Sequence, residues 1–209
     1  EVYHNAPNRI STDERSVSLN IFSELHAKLP DHTAFFRPIL QNVYGIGIII
    51  NKDIEVLEEG DIMIYNNPEY TGGPKHHRNM QWLKCKIKNK IYSIINVHGL
   101  WNGMGKTDTD ERIAQSQKIR EYMDKLDNPK ILCGDLNLRP DTQSLKIIEN
   151  KMVNQITQNH IKSTRSSLYY PKVERFADYI LTSKDIVVND FKVLPDEVSD
   201  HLPLFLDFD

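Results

Sequence analysis

Short apolar runs of strand length recur along the whole chain, separated by polar loops. They predict β-strands over 44–50, 61–65, 81–88, 91–97, 131–133, 177–181, 186–194 and 203–208. The segment 81–88 alternates most clearly, with Leu83, Cys85 and Ile87 on one face and three lysines on the other. This alternation is typical of a half-solvated strand, so we expect the lysine row to be an exposed face rather than a nucleic-acid track. A two-residue turn at Asn89-Lys90 predicts a hairpin with the next strand.

Helical patterns are fewer. Residues 11–14 have the spacing of a capping box, and the segment 17–29 carries an apolar face that ends at Pro30. A second helix is predicted over 110–126, and a third over 141–148 with Asp141 as its N-cap. Because strands outnumber helices and hairpin-like connections recur, the pattern predicts a mixed sheet system of the α/β (α+β) class rather than a doubly wound parallel sheet.

Length and composition narrow the classes of function. The 209 residues suit one domain over 1–209 whose core is large enough to fold without disulfides. A formal net charge of −3 provides no overall field for nucleic acid or an anionic membrane. Cys85 and Cys133 each lie in a strand-like apolar stretch, which is typical of core thiols in a reducing compartment, so we expect a cytoplasmic location. No apolar stretch reaches transmembrane length, and the start at Glu1, without Met or a signal pattern, suggests a trimmed N-terminus.

Polar side chains poorly suited to a core stand at the ends of four predicted strands. They are His98, Asp135, Asn137, Asp178, Asp200 and His201. Asp135 and Asn137 follow the strand 131–133 through Gly134, and they share one face if the chain stays extended. Each position has an ordinary alternative, such as an Asx-turn, a satisfied core histidine or a turn cap. One shared pocket is the more economical explanation for all of them.

Such a pocket suits phosphoryl transfer to water. Oxygen ligands without a Cys/His set favour Mg²⁺ or Mn²⁺ over zinc. Displacement at a phosphodiester needs an oriented water, neutralised phosphoryl oxygens and help for the leaving oxygen. On this interpretation Asp135 orients the water, and Asn137 and His201 bind phosphoryl oxygens. Asp200 then helps to hold the metal or orients an imidazole.

Four short motifs together resemble the endonuclease/exonuclease/phosphatase superfamily, which has the deoxyribonuclease-I-like fold. They are Asn96-Val97-His98-Gly99, Gly134-Asp135-Leu136-Asn137, Ala177-Asp178-Tyr179 and Ser199-Asp200-His201. Their order and spacing match along essentially the whole chain, and the Gly-Asp-Leu-Asn and Ser-Asp-His elements together are quite specific. The resemblance implies a four-layer α/β sandwich with two packed, mostly antiparallel sheets flanked by helices, and a site at one open edge.

The resemblance also implies roles for the residues around a Mg²⁺ or Mn²⁺ ion. Glu1 is similar to the family's metal-binding glutamate, and Asp200 to its terminal metal-linked aspartate. Asp135 and Asn137 are similar to the pair that orients water and stabilises the transition state. His201 is similar to the histidine that contacts phosphate.

On the leaving-group side, Asp178 resembles the aspartate that orients His98 or the leaving group, and His98 stands where members carry His or Tyr. Arg78 resembles a recurrent arginine of the site. The family's first strand, with its active-site Asn, and the helix after it are missing here, and Glu1 is the terminal residue. These departures predict weak metal binding or an inactive chain, and an unpaired sheet edge.

Two further residues are candidates for substrate contact. Trp101, in the loop after His98, suits stacking on a base or another flat group, although a loop anchor has the same composition. Arg165 precedes the Asp178 strand and suits a phosphate contact or, alternatively, a solvated loop charge. The loop histidines at 76 and 77 are candidates for substrate contact, although exposed loop histidines usually have no role. No long basic insertion of the kind that grips duplex DNA is present, so we expect a phosphodiester substrate such as short or single-stranded nucleic acid.

The sequence therefore predicts a divalent-metal-dependent hydrolase of phosphate esters, namely a phosphodiesterase or nuclease with an Asp-activated water. The alternatives within the family are a phosphomonoesterase and a lipid-headgroup phosphodiesterase, although no amphipathic or polybasic element points to a membrane. No protein partner is inferred. An alternative from another class is a non-catalytic module that binds phosphate, in which at least one of the strand-end polar residues would be expected to be lost.

Overall fold

The computed structural model describes residues 1–6, 18–169 and 173–209. In chain order its elements are β1 (Val2–Tyr3), α1 (Ile21–Ala27), β2 (His32–Leu40), β3 (Tyr44–Asn51), β4 (Glu55–Tyr65), β5 (Arg78–Ile87), β6 (Lys90–His98), α2 (Asp110–Asp124), β7 (Lys130–Asp135), α3 (Gln143–Glu149), β8 (Met152–Asn154), α4 (Gln155–Gln158), β9 (Asp178–Ser183), β10 (Val188–Val193) and β11 (Leu204–Phe208).

Two main sheets organise the fold. The larger has six strands in the order β4-β5-β6-β7-β9-β8, the smaller has the order β1-β3-β2, and β10 pairs with β11. Among the described strands every pairing is antiparallel except that of β6 with β7. Helix α1 packs on the smaller sheet, and α2 and α4 pack on the larger one. The predicted mixed α/β architecture with two main, mostly antiparallel sheets is therefore confirmed.

The parallel pair β6 and β7 positions the site. Helix α2 connects these strands and begins after Thr109, whose hydroxyl accepts a hydrogen bond from the backbone N–H of Arg112 at 3.3 Å. Ile131 and Leu132 are adjacent in β7 and point to opposite faces of the sheet, and both are buried, as expected for a central strand covered on both faces. Because parallel strands end at the same edge of a sheet, the last residues of β6 and β7 lie side by side.

Amide side chains connect the two sheets. Gln81 Nε2 donates to the Phe35 carbonyl at 2.8 Å, and Asn96 Nδ2 donates to the Gly47 carbonyl at 3.1 Å. Buried amides need such partners, and here the acceptors are backbone groups of the opposite sheet. These bonds fix how the smaller sheet sits against the strands that carry the site.

The alternation predicted for β5 is confirmed. Leu83 and Cys85 are buried, whereas Lys86 and Lys88 are exposed. The thiols of Cys85 and Cys133 are both free and lie inside strands, as expected. Within the described ranges, no helix combines the length and apolar character that crossing a membrane requires.

Several predicted boundaries are wrong. The hairpin turn lies at Lys88-Asn89, one residue earlier than predicted, because Lys88 adopts the left-handed region with φ of 54°. Thr142, not Asp141, caps α3, since its hydroxyl accepts from the Leu145 N–H at 3.3 Å. The first helix begins at Ile21. The predicted capping box over 11–14 lies outside the described residues.

Strand β2 has no counterpart in the sequence prediction. Its residues His32–Leu40 include the apolar pair Phe35-Phe36 and a proline, and they do not alternate. Pro38 is tolerated because β2 is an edge strand of the described sheet, where one row of backbone donors is not needed for pairing. Packing against the larger sheet, rather than local pattern, determines this strand.

Candidate active site

All ten candidate residues line one cavity of about 1060 Å³ at the edge where β6 and β7 end. They are Glu1, Arg78, His98, Trp101, Asp135, Asn137, Arg165, Asp178, Asp200 and His201. The structure therefore brings together residues that range from Glu1, just before β1, to His201, just before β11.

Three strand ends place an imidazole and two carboxylates in a row. His98 ends β6 and is the register partner of Asp135, which ends β7. Asp135 is in turn the partner of Asp178, the first residue of β9. Neighbouring strands lie about 4.8 Å apart, so the three side chains begin from adjacent points on a hydrogen-bonded frame. This frame holds them without help from flexible loops.

The row of three side chains depends on the close approach of the Gly134 backbone to the Val97 carbonyl of the neighbouring strand. Gly134 has φ of 136°, and a Cβ placed on it would lie 2.0 Å from the Val97 carbonyl oxygen. Only glycine combines this backbone conformation with the space available. The residue before Asp135 is therefore glycine for a steric reason.

We expect Gly134→Ala to lower the free energy of unfolding. Backbone strain alone would cost about 1–3 kcal/mol, and the loss should be larger because the new methyl group also clashes with the Val97 carbonyl. Urea unfolding measures this loss. Gly72→Ala is the matched control, since Gly72 has φ of 130° but a Cβ added there would meet no atom of the described residues within 4 Å. Equal losses from the two variants would contradict the close approach.

Asn137 departs from the extended geometry that the sequence suggested. Its φ is 52°, and its backbone N–H donates to Asp135 Oδ1 at 2.7 Å, so the ordinary Asx-turn alternative is present. Its Nδ2 donates to the Gly99 carbonyl at 3.2 Å. The expectation that Asp135 and Asn137 share a face of one extended strand is wrong, yet the turn still brings both to the cavity.

Asp178 orients His201. Nδ1 of His201 lies 2.8 Å from Oδ1 and 2.9 Å from Oδ2 of Asp178, and the Thr164 hydroxyl donates to the same carboxylate at 3.1 Å. The carboxylate therefore keeps a proton on Nδ1 and directs Nε2 toward the cavity, where it lies 3.7 Å from Asp135 Oδ2. The alternative that Asp178 orients His98 is corrected, because the path of the 199–201 segment brings His201 to it instead.

Glu1 and His98 form a second pair. His98 Nδ1 lies 2.9 Å from Glu1 Oε2, and the Tyr44 hydroxyl donates to the same oxygen. Burial lowers the pKa of His98, so a neutral ring donates one N–H to the carboxylate. Burial by itself would raise the pKa of Glu1, but the hydrogen bonds from His98 and Tyr44 hold it far below its usual range. Glu1 is therefore an ionised oxygen donor.

Arg78 is 3% exposed and is held by a loop histidine. Its Nη1 donates to His76 Nε2 at 2.6 Å, while His76 Nδ1 donates to the His77 carbonyl at 2.8 Å. Burial, with the charge of Arg78 adding to it, lowers the pKa of His76 to about 4, so the ring stays a neutral acceptor. The alternative of an exposed and idle His76 is wrong, because the ring packs edge-on against Tyr44.

Arg165 is also buried, which removes the alternative of a solvated loop charge. Its Nη1 donates to Asp200 Oδ2 at 3.1 Å and contacts His201 Nε2. Its guanidinium lies 4.2 Å above the centre of the Tyr169 ring. The half-buried Trp101 lines the same cavity. Arg165 therefore brings positive charge to the imidazole nitrogen that faces the cavity.

The donor set fits a hard divalent cation. Asp135, Asp178 and His201 each place one donor atom within 4.8 Å of the others and could hold a metal ion. The carboxylates of Glu1 and Asp200 line the same cavity, where His98 contacts Glu1 Oε2 and Arg165 donates to Asp200 Oδ2. Carboxylate oxygens without thiolates favour Mg²⁺ or Mn²⁺.

Sequence reasoning missed Tyr44 and Lys106, which line the same cavity. Tyr44 begins β3, and its ring position follows from packing of the smaller sheet, to which no local motif points. Lys106 is 2% exposed in the loop between β6 and α2. Nothing in its sequence surroundings distinguishes it from an ordinary loop lysine.

Comparisons with known proteins agree with this geometry. The family model described as "Endonuclease/Exonuclease/phosphatase family" matches residues 12–201. The structure is similar to that of a mannosyl-6-phosphatase of Bacteroides thetaiotaomicron, with 18% identity, a TM-score of 0.73, and coverage of 90% of this chain and 80% of that one. No curated protein sequence matches the chain significantly.

Two eukaryotic structures show the same fold. Danio rerio TDP2, solved with a single strand DNA product, is 15% identical, with a TM-score of 0.68 and coverage of 90% of this chain and 80% of that one. The human Nocturnin catalytic domain, solved with a bound sulfate anion, is 18% identical, with a TM-score of 0.60 and coverage of 90% and 75%. At these identities the likeness concerns the fold.

Proposed function

Since this chain belongs to the endonuclease/exonuclease/phosphatase family, we propose that it is a divalent-metal-dependent hydrolase of phosphate esters, specifically a phosphodiesterase or nuclease with an Asp-activated water. One observation carries the proposal: a carboxylate at the end of β7 stands between His98 and the His201–Asp178 pair, in a cavity that two buried arginines also line. Because both sheets contribute to this cavity, we also propose that residues 1–209 act as one domain.

The proposed metal site uses Glu1 and Asp200, with Asp135 in the same cavity. When bound, Mg²⁺ or Mn²⁺ would neutralise charge on the phosphate and favour the leaving oxygen. Glu1 stays ionised because His98 and Tyr44 both donate to it. His98 is therefore proposed to position Glu1 on the leaving-group side.

Asp135 is proposed to orient the attacking water and accept its proton. Burial would raise the pKa of Asp135, but the neighbouring imidazoles of His98 and His201 and the cations of Lys106 and Arg165 lower it, so the group is a carboxylate at neutral pH. Asn137 is held beside it by the hydrogen bond from its own N–H. The Asn137 amide then contributes a donor to the phosphoryl oxygens.

His201 is proposed to bind a phosphoryl oxygen through Nε2. Asp178 occupies Nδ1 and leaves Nε2 facing the cavity, and a ring that carries a proton on both nitrogens donates from Nε2 to the phosphoryl oxygen. Arg165 and Arg78 would neutralise the remaining oxygens, since a guanidinium suits the geometry of phosphate. In this proposal one cavity provides Asp135 for the water, His201 and the arginines for the phosphate, and Glu1 on the leaving-group side.

A phosphodiester, such as short or single-stranded nucleic acid, is the proposed substrate. Trp101 provides a flat surface beside the phosphate site on which a base could stack. A phosphomonoester is the second candidate, because one structure of this fold is a mannosyl-6-phosphatase. We also propose a reducing, cytoplasmic setting on the basis of the two free thiols.

We expect hydrolysis of bis-p-nitrophenyl phosphate with Mg²⁺ or Mn²⁺, faster than hydrolysis of the monoester p-nitrophenyl phosphate. EDTA should reduce the release of p-nitrophenolate to background, and excess Mn²⁺ should restore it, because the ion neutralises the phosphate charge. Faster cleavage of the monoester would favour the phosphomonoesterase. Binding of phosphate without hydrolysis of either compound would favour the non-catalytic module.

A further inference from the structure

A buried ammonium group lines the active-site cavity without a role in the steps proposed above. Lys106 lies in the loop between β6 and α2 and is 2% exposed. Burying an ammonium is costly unless nearby groups compensate its lost hydration. Lysines are rarely this buried unless they are paired, so the local environment must justify the position.

The loop around Lys106 is firmly anchored. Arg112, fully buried in α2, donates through its guanidinium to the carbonyls of Leu100 at 3.2 Å, Thr107 at 2.6 Å and Gly105 at 2.7 Å. The carbonyl of Lys106 itself accepts from the backbone N–H that begins the 139–142 turn, at 3.0 Å. The backbone on both sides of Lys106 is therefore fixed, and its side chain enters the cavity from a rigid base.

The ammonium lines the same cavity as the residues proposed above to bind phosphate. Its Nζ donates to the Phe176 carbonyl at 3.1 Å, two residues before Asp178. The nearby charged groups are Asp135, Arg165, Asp178 and Glu174, with Asp135 the strongest favourable influence on its charge. An ammonium carries three N–H donors, and the carbonyl uses one of them. The ammonium thus shares the cavity with both carboxylates of the strand-end row.

We infer that Lys106 is a third cation of the active site and contacts the phosphate group of the substrate together with Arg165. The inference rests on the proposed function, because it assigns a further residue to the same phosphate. Arg78, Lys106 and Arg165 are the positively charged side chains that line the cavity among the described residues, and each is at most 9% exposed. They approach it from β5, from the loop before α2 and from the segment before β9.

A purely structural role would predict different behaviour. If Lys106 only anchored the Phe176 carbonyl or balanced Asp135, its removal would change stability and leave affinity for phosphate unchanged. A hydrogen bond to a charged group supports about a 10- to 100-fold difference in affinity. Affinity for phosphate therefore separates the two roles.

The test compares Lys106→Met, Lys106→Gln and Lys106→Arg with wild type and with Lys86→Met, a change at an exposed lysine of β5. Isothermal titration with inorganic phosphate gives Kd, hydrolysis of bis-p-nitrophenyl phosphate gives KM and kcat, and thermal melting reports folding. We expect about a 10- to 100-fold increase in Kd and KM for the Met and Gln variants, partial recovery in the Arg variant and no change in the Lys86 variant.

Folded Met or Gln variants with the Kd and KM of wild type would overturn the inference while leaving the hydrolase proposal intact. If Lys106→Met fails to fold, the Gln and Arg variants decide the question, since both retain a polar end. A wild-type protein that neither binds phosphate nor hydrolyses the diester would instead overturn the proposed function, and this inference with it.

Discussion

Asp135→Asn is expected to lower kcat by about 10²–10⁴-fold, the usual contribution of a general base. The amide keeps an oxygen to accept the Asn137 N–H, which Asp135 accepts at 2.7 Å, so the turn after β7 is preserved. What is lost is the negative charge that accepts a proton from water. The loss should therefore appear in kcat, without a fall in the melting temperature.

The control for this change is Asp141→Asn. Asp141 is exposed and pairs with Arg139 at 3.1 Å outside the cavity, so the same chemical change there should leave kcat unaltered. Steady-state hydrolysis of bis-p-nitrophenyl phosphate with Mn²⁺ measures both variants. Near wild-type activity in the Asp135 variant would remove this residue from the mechanism.

His201→Gln is expected to lower kcat/KM by about 10²–10³-fold, the typical contribution of one transition-state donor. His201 lies between the Asp178 carboxylate at 2.8 Å and the cavity, and glutamine has no second nitrogen on the opposite side with which to contact phosphate while it contacts Asp178. Asp178→Asn should produce a similar loss, because its amide no longer favours a proton on Nδ1. The two changes should be non-additive, since the residues act as a pair.

His160→Gln is the matched control for the histidine change. His160 is exposed in the turn after α4 and lies outside the residues that line the cavity. Its replacement should leave kcat/KM within experimental error. Additive losses from the His201 and Asp178 changes would show that the pair does not act as a unit, and equal losses in the control would point to a general effect on the fold.

The sequence predicts the sheet that carries the site better than the sheet that covers it. Strands β6, β7 and β9 are central and buried, so their apolar runs are continuous and easily found. Strand β2 is an edge strand whose Phe35-Phe36-Arg37-Pro38 segment follows no period of two. Its position depends on a hydrogen bond from Gln81 of the opposite sheet, a contact that no local sequence pattern indicates.

Within the site, motifs predict which residues meet but not how they pair. The Gly-Asp-Leu-Asn motif identifies Asp135 and Asn137, yet the turn between them follows from the left-handed backbone of Asn137. Asp178 pairs with His201 and not with His98. This pairing depends on an isolated antiparallel β-bridge between the backbones of Arg165 and His201. Contacts between segments distant in sequence decide such pairings.

The net charge of the chain also gives no indication of the positive charge in the cavity. A net charge of −3 suggests no attraction for phosphate esters, and it correctly describes the molecule as a whole. Three buried cations nevertheless line one cavity. The local dielectric constant is lower there than in water, so each cation attracts a phosphate more strongly than a solvated lysine does. Burial of Lys106 and His76 is a tertiary property, which explains why neither stands out in the sequence.

A crystal structure with Mn²⁺ and inorganic phosphate most directly tests the claim that one cavity seats a divalent ion against a phosphate. We predict an anomalous manganese peak among the carboxylates of Glu1, Asp135 and Asp200, with phosphate oxygens in contact with His201 and Arg165. Manganese and phosphate bound on separate surfaces, with this cavity containing neither, would contradict the account.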